Sequence, residues 1–168
     1  MNEPQLPDIK AAIITVDSRV VSGVKPPSGA QKATEMLEKA GIPAISDVVI
    51  DDLAAPLRRE FDRARDAGAR LIVTVGSTGI SARNIVPETT LAICDAELPG
   101  IAEQIRAEGL KNTPQAVLSR AVVGVTSRTS KGAVIVNCPS SSGGVKDALR
   151  VLLPLLHYIY EQMDQTEA

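Results

Sequence analysis

The sequence predicts an α/β protein: a three-layer αβα sandwich whose sheet is mostly parallel with one antiparallel strand. Three observations lead to this fold class. Several predicted strands are apolar throughout, amphipathic helices separate them, and one short polar connection joins two β-branched segments. Strands that alternate with helices form right-handed crossovers, and ligands of such sheets bind at the carboxyl ends of the strands. The loops after the strands are therefore where we expect a functional site.

The composition is that of one ordinary domain. The chain has 168 residues, of which 44% are hydrophobic and 23% charged, so it can bury a core without metals or disulfides. We predict a single domain over residues 9–163, between flexible ends at residues 1–8 and 164–168. Cys94 and Cys138 lie far apart in apolar surroundings, which favours buried free thiols over a disulfide or a metal site.

Charge and hydropathy exclude two classes of partner. The net charge is −2, and aromatic residues make up only 2% of the chain, so nucleic-acid binding is not expected. No basic, apolar leader is present, and no apolar run reaches the roughly 18 residues that would span a membrane. We therefore expect a cytoplasmic protein with no membrane partner.

The first predicted strand is followed by a loop and then by the first predicted helix. Ala11–Val16 is continuously apolar and rich in β-branched residues, which predicts a strand covered on both faces. A loop with two prolines follows. Ser28 and Gln31 then fit a capping box at the start of a helix that ends at Gly41.

The same unit occurs again. Residues 45–50 predict a strand with Asp51 and Asp52 as the turn at its carboxyl end, and Leu71–Val75 predicts a third, apolar strand. Between them lies a helix that ends near Gly68. Its apolar face is formed by Leu57, Phe61 and Ala64.

The second half of the chain predicts two helices and a hairpin. The helices span residues 87–96 and 101–108 and are separated by Pro99 and Gly100. The β-branched segments 121–126 and 133–137 flank a polar connection, so they predict an antiparallel pair.

A final helix is predicted from about Gly144, with a kink at Pro154. His157 lies among leucines in this helix, which favours a packing or surface position over a catalytic one. The side chains predicted to face the core are Val145, Leu149, Leu152, Leu156 and Ile159.

Residues 74–84, TVGSTGISARN, follow the third strand directly. Their two glycines, Gly76 and Gly79, allow a sharp turn and a close approach to a ligand. The hydroxyl groups of Ser77, Thr78 and Ser81 and the free amides of the turn are suited to an anion. An anion site and an ordinary glycine turn both fit this segment.

Residues 137–144, NCPSSSGG, lie between a strand and the last helix. Small residues there leave helix amides exposed, which favours a phosphate or carboxylate ligand. The alternative is an ordinary helix start with Ser142 as N-cap.

Five charged side chains complete the candidates. Asp51 and Asp52 end the second strand and suit Mg²⁺ binding or substrate orientation, although Asp52 also fits a helix cap. Arg83, Arg120 and Arg128 suit bidentate phosphate binding, or the surface positions most arginines occupy.

These segments, in this order, resemble the MoaB/Mog family of molybdopterin-binding domains over residues 9–162. The resemblance depends on the first strand with Arg19 and Gly23, on residues 74–79 with PETT at 87–90, and on DAELPG at 95–100. Glu103, Arg106, the LSRA segment at 118–121 and the turn at Pro139 complete it.

The resemblance implies a fold and an activity. The fold is that of a molybdopterin-binding domain, and the activity is Mg²⁺- and ATP-dependent adenylation of molybdopterin with release of pyrophosphate. It also implies a homotrimer or hexamer. The implied functional positions are Asp51 as catalytic carboxylate and metal ligand, Asn84 at the second acidic position, Gly76, Ser77, Thr78, Gly79 and Ser81 around the pterin and its phosphate, and Pro139, Ser140, Ser141 and Ser142 on the nucleotide side.

Four changes, at five positions, depart from the family pattern. Asp17 and Ser18 exchange the usual order of acid and serine, Ser77 and Ser140 replace glycines, and Asn84 replaces an acid. A neutral amide binds Mg²⁺ without a carboxylate's charge. The alternative function is therefore a non-catalytic, oligomeric carrier, sensor or scaffold that binds molybdopterin.

Overall fold

A six-stranded sheet forms the centre of the computed structural model, which describes Leu6 and residues 8–165. The strand order is β2-β1-β3-β6-β5-β4, and β5 runs antiparallel to both of its neighbours while the other pairs are parallel. The prediction of a mostly parallel sheet with one antiparallel strand is confirmed. The strands are β1 (Ala11–Val16), β2 (Ala44–Ile50), β3 (Leu71–Val75), β4 (Ala96–Glu97), β5 (Val123–Val125) and β6 (Val134–Cys138).

Helices cover both faces of the sheet and complete the predicted sandwich. They are α1 (Ser18–Val21), α2 (Ser28–Lys39), α3 (Ala54–Asp66), α4 (Val86–Leu91), α5 (Pro99–Leu110), α6 (Ser142–Leu152) and α7 (Leu156–Asp164). Side chains of α2, α5, α6 and α7 pack with one face of the central strands, and those of α3 and α4 pack with the other. Ile13 and Ile14, adjacent in β1, belong to opposite layers because successive side chains of a strand alternate.

Two helix boundaries differ from the prediction over residues 87–110. The first helix, α4, ends at Leu91, and Ala96 belongs instead to β4, where it pairs with Val125. Pro99 and Gly100 do not separate helices but form the first turn of α5, where a missing proline N–H is tolerated.

Two predicted helix caps are wrong by one residue. Pro27 is the N-cap of α2, with no side-chain cap bond, so Ser28 and Gln31 form no capping box. Ser141, not Ser142, caps α6, and its hydroxyl accepts a bond from the Gly144 N–H. A further short helix, α1, lies in the predicted loop after β1 because Asp17 caps it.

The carboxyl-terminal part follows the prediction closely. Pro154 lies in a 3₁₀ turn, Leu153–Leu155, that separates α6 from α7, as expected where a proline removes a helical N–H donor. Asp164 ends α7 and pairs with Arg70 across 2.8 Å. The rest of the expected flexible tail, 166–168, and most of 1–8 lie outside the described residues. No described helix combines the length and hydrophobicity needed to cross a bilayer.

Both cysteines are free thiols, as predicted. Burial raises the pKa of Cys138 to about 12 and that of Cys94 to about 11. Neither thiol is therefore a thiolate near neutral pH.

Candidate functional site

The carboxyl ends of β1, β3 and β6 meet at one edge of the sheet and open into a cleft of about 390 Å³. The loops singled out in the sequence do come together there. We call this space the cleft; it is lined by Val16, Asp17, Ser18, Arg19, Asp52, Ser77, Thr78, Gly79, Ser81, Arg83, Asn84, Pro139 and Ser140.

Gly76 allows the floor of the cleft to form. Its φ is +98°, and a Cβ atom there would lie 2.6 Å from the carbonyl oxygen of Val16. Its N–H donates to the carbonyl of Cys138, 2.9 Å away, so the residue connects the ends of β1 and β6. Only glycine fits this backbone conformation and this approach.

Ser77 adopts a left-handed conformation, with a φ of +58° that is uncommon outside glycine. Its hydroxyl accepts a bond from the Ile85 N–H at 3.1 Å and donates to the Arg83 carbonyl at 3.4 Å. These bonds fold residues 77–85 back on themselves and offset part of the backbone strain. The donor hydrogen of this hydroxyl and one of its acceptor positions are thus bonded within the loop.

Asn84 closes the same loop from its far end. Its side-chain oxygen accepts a bond from the Gly79 N–H at 3.2 Å, and its side-chain nitrogen donates to the Ser81 carbonyl at 3.4 Å. The side chain also lines the cleft.

Arg120 fixes the loop from outside rather than binding an anion. Its Nε donates to the Gly79 carbonyl at 2.8 Å and one terminal nitrogen donates to the Asn84 carbonyl at 3.0 Å. The other pairs with Glu88, whose pKa falls below its ordinary value because of that bond. Of the alternatives left open for Arg120, the geometry favours the structural one.

The other two arginines behave differently from each other. Arg128 pairs with Asp95 on an exposed surface and does not line the cleft. Arg83 lines the cleft, and within the described part of the chain its guanidinium makes no hydrogen bond. Arg83 is thus the one of the three that is placed to meet a ligand in the cleft. His157 is half-buried beside Tyr158, away from the cleft.

Asp52, one residue beyond the predicted Asp51, is the carboxylate of the β2 end that lines the cleft. Asp51 is exposed and does not line it. Both residues follow β2, which ends at Ile50, and the chain turns sharply at Asp52, where the Leu53 N–H donates to the Asp51 carbonyl at 2.7 Å. Asp52 also accepts a bond from the Ser18 N–H at 3.0 Å.

Asp17 supplies a second carboxylate to the cleft, but local cations neutralise it. Its two oxygens accept bonds from Arg19 Nε and Nη2 at 3.0 and 2.8 Å, and Lys25 Nζ lies 3.7 Å away. The bond from Arg19, more than any other influence, lowers the pKa of Asp17. Asp17 is thus ionised, and its charge is compensated by Arg19 and Lys25.

The remaining predicted site residues lie at or beside the cleft. Ser141 caps α6 beside it, and Ser142 is the first residue of that helix. Gly76 does not line the cleft itself; it packs against the end of β1 at Val16. Among residues 8–165, no three acidic, histidine or cysteine side chains cluster closely enough to hold a metal ion by themselves.

A second space, which we call the side cavity, adjoins the cleft at Thr78, Gly79 and Pro139 and has a volume of about 430 Å³. It lies between α5, the 3₁₀ segment Pro114–Leu118 and the amino end of α6. Its remaining lining residues are Ile105, Arg106, Gly109, Asn112, Thr113, Gln115, Ala116, Leu118, Ser119, Ser141, Gly143, Gly144 and Asp147.

Sequence reasoning missed Asp147. This carboxylate is 8% exposed, although it stands in the helix predicted to be amphipathic around Val145 and Leu149. Asp147 shares neither the spacing of that apolar face nor a motif, so the sequence carried no signal beyond its position just after the NCPSSSGG segment.

Comparison with known proteins gives a consistent result. The family described as "Probable molybdopterin binding domain" matches residues 12–158. Molybdopterin adenylyltransferase from Haemophilus influenzae is 31% identical over 144 residues, which cover 84% of this chain and 71% of that protein. The enzyme of the same name from Escherichia coli K12 is 30% identical over 156 residues, covering 84% and 72%.

Solved structures agree with this match. A putative molybdenum cofactor biosynthesis protein from Corynebacterium diphtheriae is 35% identical, with a TM-score of 0.83 over 93% of this chain and 98% of its own. The molybdopterin biosynthesis enzyme MoaB from Thermus thermophilus is 29% identical, with a TM-score of 0.83 over 95% and 98%.

Proposed function

Because the chain belongs to the molybdopterin-binding domain family of molybdenum cofactor biosynthesis, we propose that it transfers AMP from Mg-ATP to molybdopterin and releases pyrophosphate. The observation that carries the proposal is the cleft, which is lined by the glycine loop and the carboxylate of Asp52 and which adjoins, at Pro139, the side cavity at the amino end of α6. Adenylyl transfer depends on such positioning and charge compensation more than on a protein nucleophile.

The reaction exchanges one phosphorus–oxygen bond for another. An oxygen of the terminal phosphate of molybdopterin attacks the α-phosphorus of ATP, and the bond from that phosphorus to the β-phosphate oxygen breaks. Pyrophosphate leaves with the electron pair. The protein must hold the two phosphates together against their mutual repulsion.

The amino end of α6 supplies donors for these phosphates. The N–H groups of Ser142 and Gly143 occupy the first two positions of the helix and have no acceptor within it, whereas that of Gly144 is taken by Ser141. Together with the helix dipole they favour an anion. Arg83 adds an exposed guanidinium to the lining of the cleft.

The acidic groups fit a magnesium ion that arrives with the nucleotide. Mg²⁺ is held by one or two carboxylates together with substrate phosphates and water. Asp52 is the carboxylate of the cleft whose charge is not already paired with an arginine or lysine in the described structure. We therefore assign Asp52 the metal-binding role predicted for Asp51, with Asn84 as a neutral polar neighbour.

A matched pair of substitutions tests this assignment. Asp52→Asn and Asp51→Asn make the same chemical change one residue apart, and only the first alters the cleft. We expect Asp52→Asn to lower pyrophosphate release from molybdopterin and Mg-ATP by about 10²-fold or more, and Asp51→Asn to leave it within about twofold. An equal loss in both variants, or a loss only in Asp51→Asn, would contradict the assignment.

The second candidate function is a non-catalytic carrier, sensor or scaffold for molybdopterin. It is favoured by two observations: Asn84 stands where the family carries an acid, and Asp17 is neutralised by Arg19 and Lys25. Calorimetric titration with molybdopterin, with and without Mg-ATP, followed by a pyrophosphate assay on the same sample, separates the two. Binding with pyrophosphate release supports the enzyme, and binding without release supports the carrier.

We also propose the homotrimer or hexamer implied by the family resemblance. Several large apolar side chains are exposed in the single chain, including Leu110 at the end of α5 and Val117 and Leu118 in the 3₁₀ segment after it. Burial of such side chains is a common driving force of assembly. Sedimentation equilibrium of the purified chain measures the mass directly, and a monomer across the concentration range would overturn this proposal.

A further inference from the structure

The guanidinium of Arg19 is held in a fixed orientation in the lining of the cleft. Its Nε donates to one oxygen of Asp17 at 3.0 Å, and its Nη2 donates to the other at 2.8 Å. Two parallel bonds of this kind define the plane of the guanidinium. Asp17 is itself 5% exposed, and it caps α1 by accepting a bond from the Arg19 N–H at 3.0 Å. The carboxylate is therefore a rigid support for the arginine.

A second cation makes this group of side chains positive overall. Lys25 Nζ lies 3.7 Å from the Asp17 carboxylate, and the Lys25 N–H donates to the Arg19 carbonyl at 3.0 Å, which closes the chain between them into a loop. Two cations and one carboxylate give a net charge of +1. The group therefore attracts an anion rather than a metal ion.

Part of the hydrogen-bonding capacity of Arg19 is unused. A guanidinium has five N–H donors, and Asp17 takes two of them. Among the described residues no other acceptor bonds to the Arg19 side chain, which is 61% exposed. Arg120, in contrast, uses its donors on two carbonyls of the loop after β3 and on Glu88. Arg19 thus presents free donors to the cleft in a fixed geometry.

Asp52 adjoins Arg19 in the cleft. Its carboxylate accepts a bond at 3.0 Å from the N–H of Ser18, the residue before Arg19. The bond to Asp17 and, less strongly, the charge of Asp52 raise the pKa of Arg19, so the guanidinium stays charged. Asp52 is the proposed magnesium ligand, and magnesium bound to a nucleoside triphosphate contacts its β- and γ-phosphates. Arg19 is therefore placed beside the part of the nucleotide that leaves as pyrophosphate.

We propose that Arg19 binds the leaving pyrophosphate and that Asp17 is the positioning residue that orients it. As the bond between the α-phosphorus and the bridging oxygen breaks, pyrophosphate takes the electron pair, and the guanidinium compensates the charge that develops on it. The inference rests on the proposed function, because it gives both residues a role in adenylyl transfer. The acid at position 17, which departs from the family pattern, thus supports an arginine instead of a metal ion.

Direct binding of pyrophosphate tests the role of Arg19. The full chain, without ATP or molybdopterin, is titrated calorimetrically with inorganic pyrophosphate in the presence of Mg²⁺. We expect Arg19→Gln to weaken binding by at least about tenfold, because hydrogen bonds between charged partners are lost. Arg128→Gln is the matched control. Arg128 forms the same kind of pair with Asp95 but outside the cleft, so this variant should stay within about twofold of the unmodified protein.

Asp17→Asn separates positioning from charge. Loss of a carboxylate beside an anion site strengthens anion binding if charge alone matters. An asparagine accepts with one oxygen and cannot hold both Nε and Nη2 of Arg19, so the positioning role predicts the opposite, a loss of about threefold or more. In the Arg19→Gln background the same substitution should no longer weaken binding, because Asp17 acts through the arginine.

Three results would overturn the inference: unchanged pyrophosphate binding in Arg19→Gln, stronger binding in Asp17→Asn alone, or no detectable binding by the unmodified protein. Thermal unfolding of each variant checks that the titrated protein is folded.

Pyrophosphate release from molybdopterin and Mg-ATP is measured separately, so that the two proposals can fail independently. Pyrophosphate binding that depends on Arg19, without any release, supports the pyrophosphate site and contradicts adenylyl transfer. Release that continues in Arg19→Gln at the rate of the unmodified protein retains adenylyl transfer and contradicts the role of Arg19.

Discussion

The side-chain oxygen of Asn84 accepts a hydrogen bond from the backbone N–H of Gly79, 3.2 Å away. The bond joins the two ends of the loop that follows β3, and it places the amide in the cleft wall. An aspartate has the same shape and can accept the same bond. The asparagine therefore preserves the loop while it lowers the negative charge available to a metal ion.

Restoring an acid at this position is expected to increase activity. In Asn84→Asp the bond to Gly79 persists, and the added charge strengthens Mg²⁺ binding beside Asp52. We expect pyrophosphate release at limiting Mg²⁺ to rise at least about tenfold, equivalent to about 1.4 kcal/mol. The control is the free energy of unfolding, which should fall by no more than about 1 kcal/mol, the cost of losing the bond that Asn84 Nδ2 donates to the Ser81 carbonyl. A variant no faster than the unmodified protein at every Mg²⁺ concentration contradicts the expectation.

Gly76 is expected to be the least replaceable glycine of the site. A methyl group there would lie 2.6 Å from the Val16 carbonyl oxygen, and the residue has a φ of +98°. We expect Gly76→Ala to lower the free energy of unfolding by about 2–4 kcal/mol, measured by urea denaturation. Gly100→Ala is the control: it lies in α5 with open space around it, so stability should stay equal or rise by up to about 1 kcal/mol. If both variants lost a similar amount of unfolding free energy, the close approach and positive φ at Gly76 could not be the cause.

Two substitutions at Ser77 separate backbone strain from hydrogen bonding. Glycine relieves the left-handed conformation but loses the hydroxyl bonds, whereas alanine loses the bonds and keeps the strain. We expect Ser77→Gly to lie within about 1 kcal/mol of the unmodified protein and Ser77→Ala to lie about 1 kcal/mol below the glycine variant. Thermal unfolding of the three proteins gives the order of their stabilities. An alanine variant more stable than the glycine variant would show that backbone strain at Ser77 is not significant.

Arg120 is expected to stabilise the loop after β3 through its planar guanidinium, which binds three groups at once. A lysine retains the charge but does not reach the carbonyls of Gly79 and Asn84 and the carboxylate of Glu88 together. We expect Arg120→Lys to cost about 1–3 kcal/mol of unfolding free energy and to lower turnover as the loop loosens. Arg128→Lys alters an exposed pair and should cost less than about 0.5 kcal/mol. Equal costs in the two variants are incompatible with the loop-fixing role.

The pairing of Asp17 with Arg19 predicts a dependence of stability on pH. The pKa of Asp17 in the folded protein lies below its ordinary value of 3.8. Its stabilising contribution is therefore complete above that ordinary value and is lost as the pH falls through the lowered one. We expect Asp17→Asn to be about 1 kcal/mol less stable than the unmodified protein at about pH 7, with the difference shrinking below about pH 4. Urea unfolding across this range measures the difference, and a gap independent of pH would contradict the pairing.

The central strands were predictable because their whole sequence is constrained. Ala11–Val16 and Leu71–Val75 are buried on both faces, and every residue in them except Thr15 and Thr74 is apolar, so the boundaries are visible in the sequence. The short β4 was not predicted because its two residues, Ala96 and Glu97, become a strand only by pairing with β5. Its existence depends on the partner rather than on its own composition.

The candidate site was predictable as a set of loops but not as a set of contacts. The rule for parallel sheets directed attention to the segments after β1, β2 and β3, and residues of all three line the cleft. Whether Asp51 or Asp52 lines the cleft depends on the turn that follows β2, where the Leu53 N–H bonds to the Asp51 carbonyl and the Asp52 carboxylate accepts a bond from the Ser18 N–H. That turn is set by a contact with a residue 34 positions away, which the sequence does not show.

The sequence by itself determined the fold class, the family and the loops that carry the site, because each depends on local patterns of apolar residues and on short motifs. Only the tertiary structure decided what individual polar groups do. Arg120 binds Gly79 from 41 positions away, and Asp147 is buried by helix α5 and the segment after it. Such roles arise from packing between distant segments, and the burial and hydrogen-bond partners of a side chain are properties of the folded chain.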